Sequence, residues 1–323
     1  MNRWRQFFAV RSAWVGVIFL CLLGLTSLCA DLVASDLPVV LHRGGETYVL
    51  PALTRPLALQ EHDNQSLRQE MSGDDWAWWP LCEFGPEQQP QLHEPPPHAP
   101  SARHWLGTDD RGRDVFSRIV HGSRASLLVG VCAVAIYVFI GALLGLLAGY
   151  SGGRADWIIA RLIEVGLTFP VFFLVLIVMA LVPQPSIFLI AVVIGVTGWP
   201  DIARLVRAEV LKLRTLDFVI AARLSGAPGR AIMLRHLLPN ALSPLIVNAT
   251  FGVGGAILLE AALSFLGFGT PPPTASWGEI LGQAFENPHS WWLVLFPGLA
   301  IFATVVAVNL VGQRLHDLLY QRT

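Results

Sequence analysis

The chain has 323 residues, of which 54% are hydrophobic and only 14% are charged. A soluble domain carries about 25% charged residues, so this composition excludes an ordinary soluble protein and indicates a membrane protein with several spans. The net charge of −1 gives no reason to expect a nucleic-acid partner. The four cysteines show neither CxxC nor zinc-ligand spacing.

The first segment is an arginine-bearing start followed by an apolar run from about Trp14 to Ala30. It fits either a cleaved signal peptide or a retained first span. A cleavage site after Ala30 requires a small residue three positions earlier, where Leu28 stands. We therefore expect residues 1–30 to be a retained membrane anchor with a cytoplasmic N-terminus.

A polar segment follows, and residues 31–122 are predicted to form a periplasmic insert that ends in an interfacial helix. Residues 39–41 and 47–50 have strand character on either side of Gly44 and Gly45, which is a hairpin signal. Two interpretations of the insert stay open. It is either a loosely ordered loop with polyproline character, or a small cap that touches an extracytoplasmic binding protein or shapes the pore mouth.

The end of the insert is rich in charged residues of both signs. We expect these residues to pair with one another near the lipid headgroups, on a solvated interfacial helix that positions the next span. They are Asp109, Asp110, Arg111, Arg113, Asp114 and Arg118.

Residues 123–323 are predicted to form the membrane core. Its first span, at about 125–150, carries Gly141, Gly145 and Gly149 four residues apart, which predicts a helix-packing face. Pro170, Pro200 and Pro297 are expected to kink their helices. About 20 apolar residues suffice to cross a bilayer, and further runs of this kind lie at about 157–182, 187–205, 241–267 and 291–312. Together with the anchor they give about six spans, with both termini cytoplasmic.

A basic loop at residues 211–239 separates two of these spans. Short loops rich in lysine and arginine belong on the cytoplasmic side. We predict a helix over residues 211–225, ended by Gly226 in a left-handed conformation. A second helix is predicted to start at Pro228 and to give way to the next span at Pro239. The basic residues in and beside the loop are Arg204, Arg207, Lys212, Arg214, Arg223, Arg230 and Arg235.

This stretch resembles the EAA loop of permease subunits of ABC importers, which docks its first helix into a groove on an ATPase subunit. Ala221, Ala222, Gly226, Leu238 and Pro239 match the motif in order and spacing. Ile220 stands where the family has an acidic residue, and Asp217 lies about one turn earlier, where it could substitute. The ATPase-docking residues that the resemblance implies are Asp217, Ala221, Ala222, Arg223, Gly226 and Pro239.

Other segments are similar to the "C" permease subunit of oligopeptide and dipeptide importers, over residues 104–317 and the first span. They are Leu-Gly-Thr-Asp at 106–109, Gly-Arg-Asp at 112–114, Leu-Ser-Phe-Leu-Gly at 263–267 and Ser-Trp-Gly at 276–278. The long insert is similar to that of Yej-type peptide permeases. The resemblance implies an all-α fold, a polytopic bundle of the type I ABC importer permease class with a cytoplasmic coupling hairpin.

The resemblance also implies partners in a bacterial inner membrane. These are a second, homologous permease subunit, one or two ATP-binding subunits that hold ATP and Mg, a periplasmic substrate-binding protein and membrane lipid. The expected cargo is peptides, with nickel or another small solute as the alternative within the same family. Lys212 is the only lysine and no glycine-rich loop precedes it, so the chain lacks a phosphate-binding P-loop. We expect no enzymatic activity, cofactor or metal in this chain.

Glu260 lies deep in the fifth predicted span. An ionisable residue at this depth is a candidate pore residue, and the alternative is a structural carboxylate bonded to a neighbouring helix. A rival of another class is a proton-coupled secondary transporter centred on Glu260, which would need inverted repeats and paired acids. A membrane enzyme would need a clustered polar set, whereas the nine histidines are scattered.

Overall fold

The computed structural model of the protein describes residues 10–89 and 95–320. Within these ranges the chain is mainly helical, as predicted, with one small sheet in the insert. The long helices are α1 (Arg11–Leu28), α5 (Val115–Ser151), α6 (Gly153–Thr168), α7 (Val171–Ala180), α8 (Ile187–Leu213) and α13 (Trp292–Tyr320).

The predicted membrane helices are found. Among the described residues, five helices are long and apolar enough to cross a membrane. One of them is the continuous stretch Gly229–Phe265. It consists of α10 (Gly229–Ala231), a π-helical turn (Ile232–Leu237) and α11 (Leu238–Phe265). A sixth crossing results if α6 and α7 form one span.

The axes of α6 and α7 differ by 78°. The break lies at Phe169 and Pro170, where Phe169 has an extended backbone (φ −94°, ψ 130°). The helical region is disfavoured for a residue before proline, because that residue would contact the proline ring. The predicted kink at Pro170 is therefore confirmed, whereas Pro200 and Pro297 lie inside the continuous helices α8 and α13.

The helix α5 is longer than predicted. The sequence suggested an interfacial helix that ends near residue 122 and a separate span from about 125, but one helix runs from Val115 to Ser151. Gly122 does not interrupt this helix. It packs close to Trp277, since a Cβ atom on Gly122 would lie 3.1 Å from the Trp277 ring. The boundary predicted between residues 122 and 123 thus falls inside a continuous helix.

The described chain divides into two compact units. The first consists of Leu128–Glu260 together with both ends of the chain, up to Phe19 and from Thr304. Within it α5 packs against α8 along the predicted glycine face. A Cβ atom on each glycine would lie 2.6–2.8 Å from the Cβ atom of the facing residue, which only glycine permits. The three pairs are Gly141 with Ile202, Gly145 with Val206 and Gly149 with Val210.

The second unit consists of Leu20–Leu127 and Ala261–Ala303, and it contains the insert. The predicted hairpin is present as β1 (Val40–Arg43) and β2 (Glu46–Val49), and β3 (Trp76–Trp78) extends it to an antiparallel sheet in the order β2-β1-β3. Four leucines form a buried core under this sheet: Leu37, Leu41, Leu59 and Leu67. The interpretation of the insert as a loosely ordered loop is therefore wrong for its described part.

Short helices complete the second unit. They are α2 (Ala30–Val33), α3 (Pro51–Thr54), α4 (Asn64–Glu70) and α12 (Trp277–Gly282), with 3₁₀ turns at Leu57–Leu59 and Gln283–Phe285. The helix α4 begins with a capping box, in which the Asp63 carboxylate accepts the backbone N–H of Ser66 and the Ser66 hydroxyl accepts that of Asp63. This arrangement satisfies two of the donors that a helix N-terminus leaves free.

Most of the charged residues at the end of the insert are buried, which corrects the expectation of a solvated helix. Arg111 is exposed and Asp110 is partly exposed, whereas the buried ones are Asp109, Arg113, Asp114 and Arg118. Asp109 accepts from Arg113 Nε at 2.6 Å, and its Oδ2 lies 3.2 Å from Arg118 Nε. Arg118 Nη2 donates to Glu279 Oε2 at 2.6 Å, and Arg113 lies 3.4 Å from the other Glu279 oxygen. Two cations thus meet two anions, and a third acid, Asp110, lies 3.8 Å from Arg113 at the partly exposed edge of the cluster. No sequence pattern indicated that Glu279 would join it.

Candidate functional site

The basic loop does not begin with the single helix predicted over residues 211–225. The helix α8 ends at Leu213 and a separate helix, α9 (Asp217–Leu224), follows after a turn. The Thr215 hydroxyl donates to the carbonyl of Lys212 at 2.8 Å within this turn, and Leu216 is extended (φ −79°, ψ 148°). The change of direction allows Val219 of α9 to be fully buried.

The helix α9 ends at Leu224, and Gly226 follows in the left-handed conformation that was predicted. Gly226 has φ +78°, and its N–H donates to the carbonyl of Arg223 at 3.1 Å. The next N–H, of Ala227, donates to the carbonyl of Ala222 at 3.1 Å. These two bonds form a Schellman motif, in which a glycine with positive φ satisfies the last carbonyls of a helix. Pro228 then caps α10, which confirms the predicted start of the second helix.

The predicted junction at Pro239 is wrong. The helical stretch that starts at Gly229 continues through Pro239 to Phe265. Proline lacks an N–H, and its ring clashes with the carbonyl four residues earlier in a regular α-helix. The π-helical turn Ile232–Leu237 lies immediately before Pro239, and its wider winding relieves this clash.

We call residues 217–237 the hairpin, and both of its arms contact the end of α5 close to the turn at Gly226. The guanidinium of Arg223 lies 5.7 Å from the centre of the Tyr150 ring. A Cβ atom on Gly229 would lie 3.1 Å from that ring. Beside the hairpin, Arg214 donates to the carbonyl of Gly149 at 3.0 Å. Both arms of the hairpin therefore contact one tyrosine.

The outer face of α9 combines one acid with apolar side chains. Residues spaced three or four apart share one face of a helix, and Asp217, Ile220, Ala221 and Leu224 follow this spacing. All four are exposed, with Leu224 at 84% and Ile220 at 43%. Sequence reasoning passed over Leu224 and treated Ile220 only as a departure from the motif, although their spacing from Asp217 was visible.

The structure separates the remaining candidate residues from this face. Ala222 is half-buried, and Pro239 is exposed on the second helix of the loop. Arg223 contacts Tyr150 of its own chain. Glu260 is only 2% exposed, so its carboxylate does not reach the surface of the chain. Among the described residues, no group of three or more His, Cys, Asp or Glu side chains is arranged to hold a metal ion.

The insert has a cavity of about 390 Å³. Its lining combines two arginines and two acids with three aromatic rings: Arg68, Arg103, Glu83, Asp114, Phe84, Trp105 and Phe116. The guanidinium of Arg103 lies 5.6 Å from the centre of the Phe84 ring. Cys82 also borders the cavity, and burial raises the pKa of its thiol. The cavity thus offers arginines and aromatic rings on a folded insert.

Comparison with known proteins identifies the family. The model of the family described as "binding-protein-dependent transport system inner membrane component" matches residues 141–323. The dipeptide transport system permease protein DppC of Alkalihalophilus pseudofirmus is 43% identical over 221 residues, which cover 68% of this chain and 72% of that protein.

Two further relatives have similar names. The di/tripeptide transport system permease protein DppC of Pseudomonas aeruginosa is 43% identical over 219 residues, covering 68% of this chain and 72% of the relative. The dipeptide transport system permease protein DppC of Bacillus subtilis is 43% identical over 222 residues, which cover 68% of this chain and 69% of that protein. The chain therefore belongs to the family of inner membrane components of binding-protein-dependent transport systems, as a permease subunit of an ABC transporter.

Proposed function

We propose that this permease subunit forms half of the translocation pore of a peptide importer in a bacterial inner membrane, with both termini cytoplasmic. The names of its relatives, which refer to dipeptides and tripeptides, support peptides as the cargo. The partners are a second, homologous permease subunit, one or two subunits that bind ATP and Mg, a periplasmic substrate-binding protein and the surrounding lipid.

One observation carries the coupling role. The face of α9 formed by Asp217, Ile220, Ala221 and Leu224 is exposed, whereas Val219 on the opposite side of the same helix is fully buried. Ile220, Ala221 and Leu224 together form an exposed apolar patch, which is a feature that marks interaction sites. We assign this face to the groove of an ATP-binding subunit.

The attachment of the hairpin to α5 explains how docking would move the pore. Arg223 and Gly229 both contact Tyr150, at the end of a helix of 37 residues. A displacement of the hairpin by the ATP-binding subunit is then transmitted to α5 as a rigid-body motion, which is a common route of switching. ATP binding in the partners would thereby alternate the pore between inward- and outward-facing states.

The insert serves in this proposal as a cap for the binding protein. It has its own buried leucine core and a cavity lined by arginines and aromatic rings, as expected of a surface that receives a partner. Replacing residues 36–85 by a short linker should leave membrane insertion intact and weaken coupling to the binding protein. Unchanged uptake and unchanged affinity for the binding protein would show that the insert has no part in docking.

The deciding experiment is reconstitution. The chain is purified with its companion permease and ATP-binding subunits, placed in proteoliposomes, and supplied with the binding protein and labelled di- and tripeptides. We expect uptake that requires ATP and Mg, and no ATPase activity from this chain alone. ATP-dependent uptake of nickel without peptides would reassign the cargo. Uptake driven by a proton gradient without ATP would contradict the proposal.

Reporter fusions test the orientation separately. A fusion after residue 215 should report the cytoplasm and a fusion after residue 90 the periplasm, because the basic loop is expected inside. A cytoplasmic signal from the fusion after residue 90 would overturn the assignment of the spans.

A further inference from the structure

The helix α8 carries an exposed ion pair near its middle. Arg204 Nη2 donates to Asp201 Oδ1 at 3.0 Å, and the two side chains are 65% and 62% exposed. Their spacing of three residues places them on one face of the helix. Two charged side chains are therefore turned away from the rest of the chain.

The length of α8 places this pair within the membrane crossing. The helix begins at Ile187, where the Ser186 hydroxyl accepts the N–H of Leu189 at 3.2 Å. Residues 187–200 carry no charged side chain, and at 1.5 Å per residue they span about 21 Å. The hydrocarbon core is about 30 Å thick. The crossing is therefore completed by residues 201 to about 206, which include Asp201 and Arg204.

Charged side chains within a membrane crossing are rarely exposed to lipid, and they normally face the bundle interior or a water-filled cavity. The bundle interior of this chain is already occupied on other sides of α8. Pro200 packs against Gly166, where an added Cβ atom would lie 2.6 Å from the proline ring. Ile202 packs against Gly141. The pair thus faces a water-filled cavity or a partner subunit, and labelling by a water-soluble reagent distinguishes the two.

We propose that Asp201 and Arg204 line the water-filled translocation path and contact the charged groups of a passing peptide. The inference rests on the proposed function as a peptide importer. A peptide carries an ammonium group and a carboxylate, and a path without polar groups would strip both of their hydration. The Asp201 carboxylate receives ammonium groups and the Arg204 guanidinium receives carboxylates.

The exposure of the pair also suits conduction rather than tight binding. Interactions between exposed charges are weak, because water screens them. A conducting path requires sites that are favourable enough to admit the cargo and weak enough to release it. Since both signs are present three residues apart, the path accepts cationic and acidic peptides alike.

The test uses the complete transporter in proteoliposomes, with binding protein saturated by Ala-Lys-Ala, Ala-Ala-Ala or Ala-Glu-Ala. Asp201→Asn should lower the uptake of the lysine peptide about two- to five-fold relative to the glutamate peptide. Arg204→Gln should lower the uptake of the glutamate peptide by a similar factor, relative to the uptake of the lysine peptide. A purely structural pair cannot produce these opposite orders.

Matched controls lie on the same helix. Glu209 and Lys212 have the same spacing and lie 3.9 Å apart, but they lie beyond the crossing. Glu209→Gln and Lys212→Gln should leave the ratios between peptides unchanged. If Asp201→Asn and Arg204→Gln change the uptake of all three peptides equally, or leave all three unchanged, the proposed contact with the peptide is wrong.

Thiol labelling provides a readout independent of transport. The four native cysteines are first replaced by alanine, and Asp201→Cys or Val196→Cys is then introduced. Val196 is a suitable comparison because it is 50% exposed and apolar, on another side of α8. A charged, membrane-impermeant thiol reagent should label the first variant and not the second, and peptide cargo should slow the labelling. An unlabelled Asp201→Cys chain would overturn the proposal.

The wild-type transporter and the variants test two different assignments. If the wild-type transporter takes up none of the three peptides, the proposed function fails. If the wild type transports them and the variants keep the wild-type ratios, only the assignment of Asp201 and Arg204 fails.

Discussion

The guanidinium of Arg223 lies over the ring of Tyr150 at 5.7 Å from its centre, so the first helix of the hairpin is attached to the end of α5. The family resemblance suggested Arg223 as a docking residue. In the proposed function, its contact within the chain would hold the proposed docking face of α9 in a fixed orientation.

This relationship predicts different effects for two substitutions at Tyr150. An exposed cation–π contact contributes about 0.5–1 kcal/mol. Tyr150→Leu should therefore weaken binding of the ATP-binding subunit about two- to five-fold, whereas Tyr150→Phe keeps a ring under Arg223 and should be neutral. Titration of the purified permease pair with the ATP-binding subunit measures both. Equal weakening by the two variants would show that the hydroxyl group, and not the ring, is important.

Gly226 predicts a second pair of variants. A Cβ atom at this position would meet nothing within 4 Å, and φ is +78°. The cost of a side chain is therefore confined to the backbone, at about 1–3 kcal/mol for a branched residue. Gly226→Val should insert normally, lose the ATP-binding subunits on gentle purification and abolish uptake.

The control is Gly226→Asn, because asparagine tolerates the left-handed conformation. It should keep both the ATP-binding subunits and transport. If Gly226→Val also keeps both, the hairpin is only a connection between two spans and the docking assignment is wrong.

Ile220→Glu restores the acid that the family places at this position. Ile220 is 43% exposed at the centre of the outer face of α9, so a carboxylate there remains hydrated and should not disturb the fold. We expect normal insertion and equal or tighter binding of the ATP-binding subunit, measured by the same titration. Clear weakening would mean that this docking groove requires the apolar residue.

The buried cluster of Asp109, Arg113, Arg118 and Glu279 predicts non-additive stability. Removing one partner of a buried ion pair costs about 3–5 kcal/mol, because the remaining charge is left uncompensated. Arg118→Met and Glu279→Met should each lower the melting temperature in detergent strongly. The double variant removes one charge of each sign. It should therefore lose much less stability than the sum of the losses in the two single variants. A strictly additive double variant would contradict this account.

An exposed pair provides the comparison for that cycle. Arg68 lies 2.6 Å from Glu83, with side chains 54% and 35% exposed. Loss of the Arg68 charge in Arg68→Met should lower the free energy of unfolding by no more than about 1 kcal/mol.

The insert should open in acid. Burial alone would raise the pKa of Asp63, but hydrogen bonds from Ser66, Gln88 and Gln65 outweigh burial and hold this pKa below its usual value. A hydrogen bond from His62 lowers the pKa of Glu70. Such carboxylates stabilise the fold above their unfolded pKa of about 4. This contribution is lost as the pH falls from there through the lower, folded pKa.

Cys82 reports this opening. Its thiol is buried, and the neighbouring backbone is tied to α4 by a hydrogen bond from the Asn64 amide to the carbonyl of Glu83 at 2.7 Å. In a chain whose other cysteines are replaced by alanine, dithiodipyridine should react slowly with Cys82 at pH 6 and faster below about pH 4, relative to a free thiol. A constant relative rate between pH 6 and pH 3 would refute the prediction.

The sequence by itself determined the features that depend on neighbouring residues. Apolar runs predicted the membrane helices, because each span must satisfy its own backbone hydrogen bonds. The positive φ of Gly226 and the packing face of Gly141, Gly145 and Gly149 were predictable because only glycine tolerates such positions. The hairpin of β1 and β2 followed from two glycines between short strands.

Only the tertiary structure decided the features that join distant parts of the chain. Glu279 meets Arg118 across 161 positions of sequence, and no local pattern indicates a partner so remote. The third strand of the insert depends likewise on pairing with β1. Val219 is buried only because α9 turns away from α8 after Leu213, and the helix continues through Pro239 because a π-helical turn accommodates the ring. Local propensity allowed other outcomes at both places, and long-range packing selected among them.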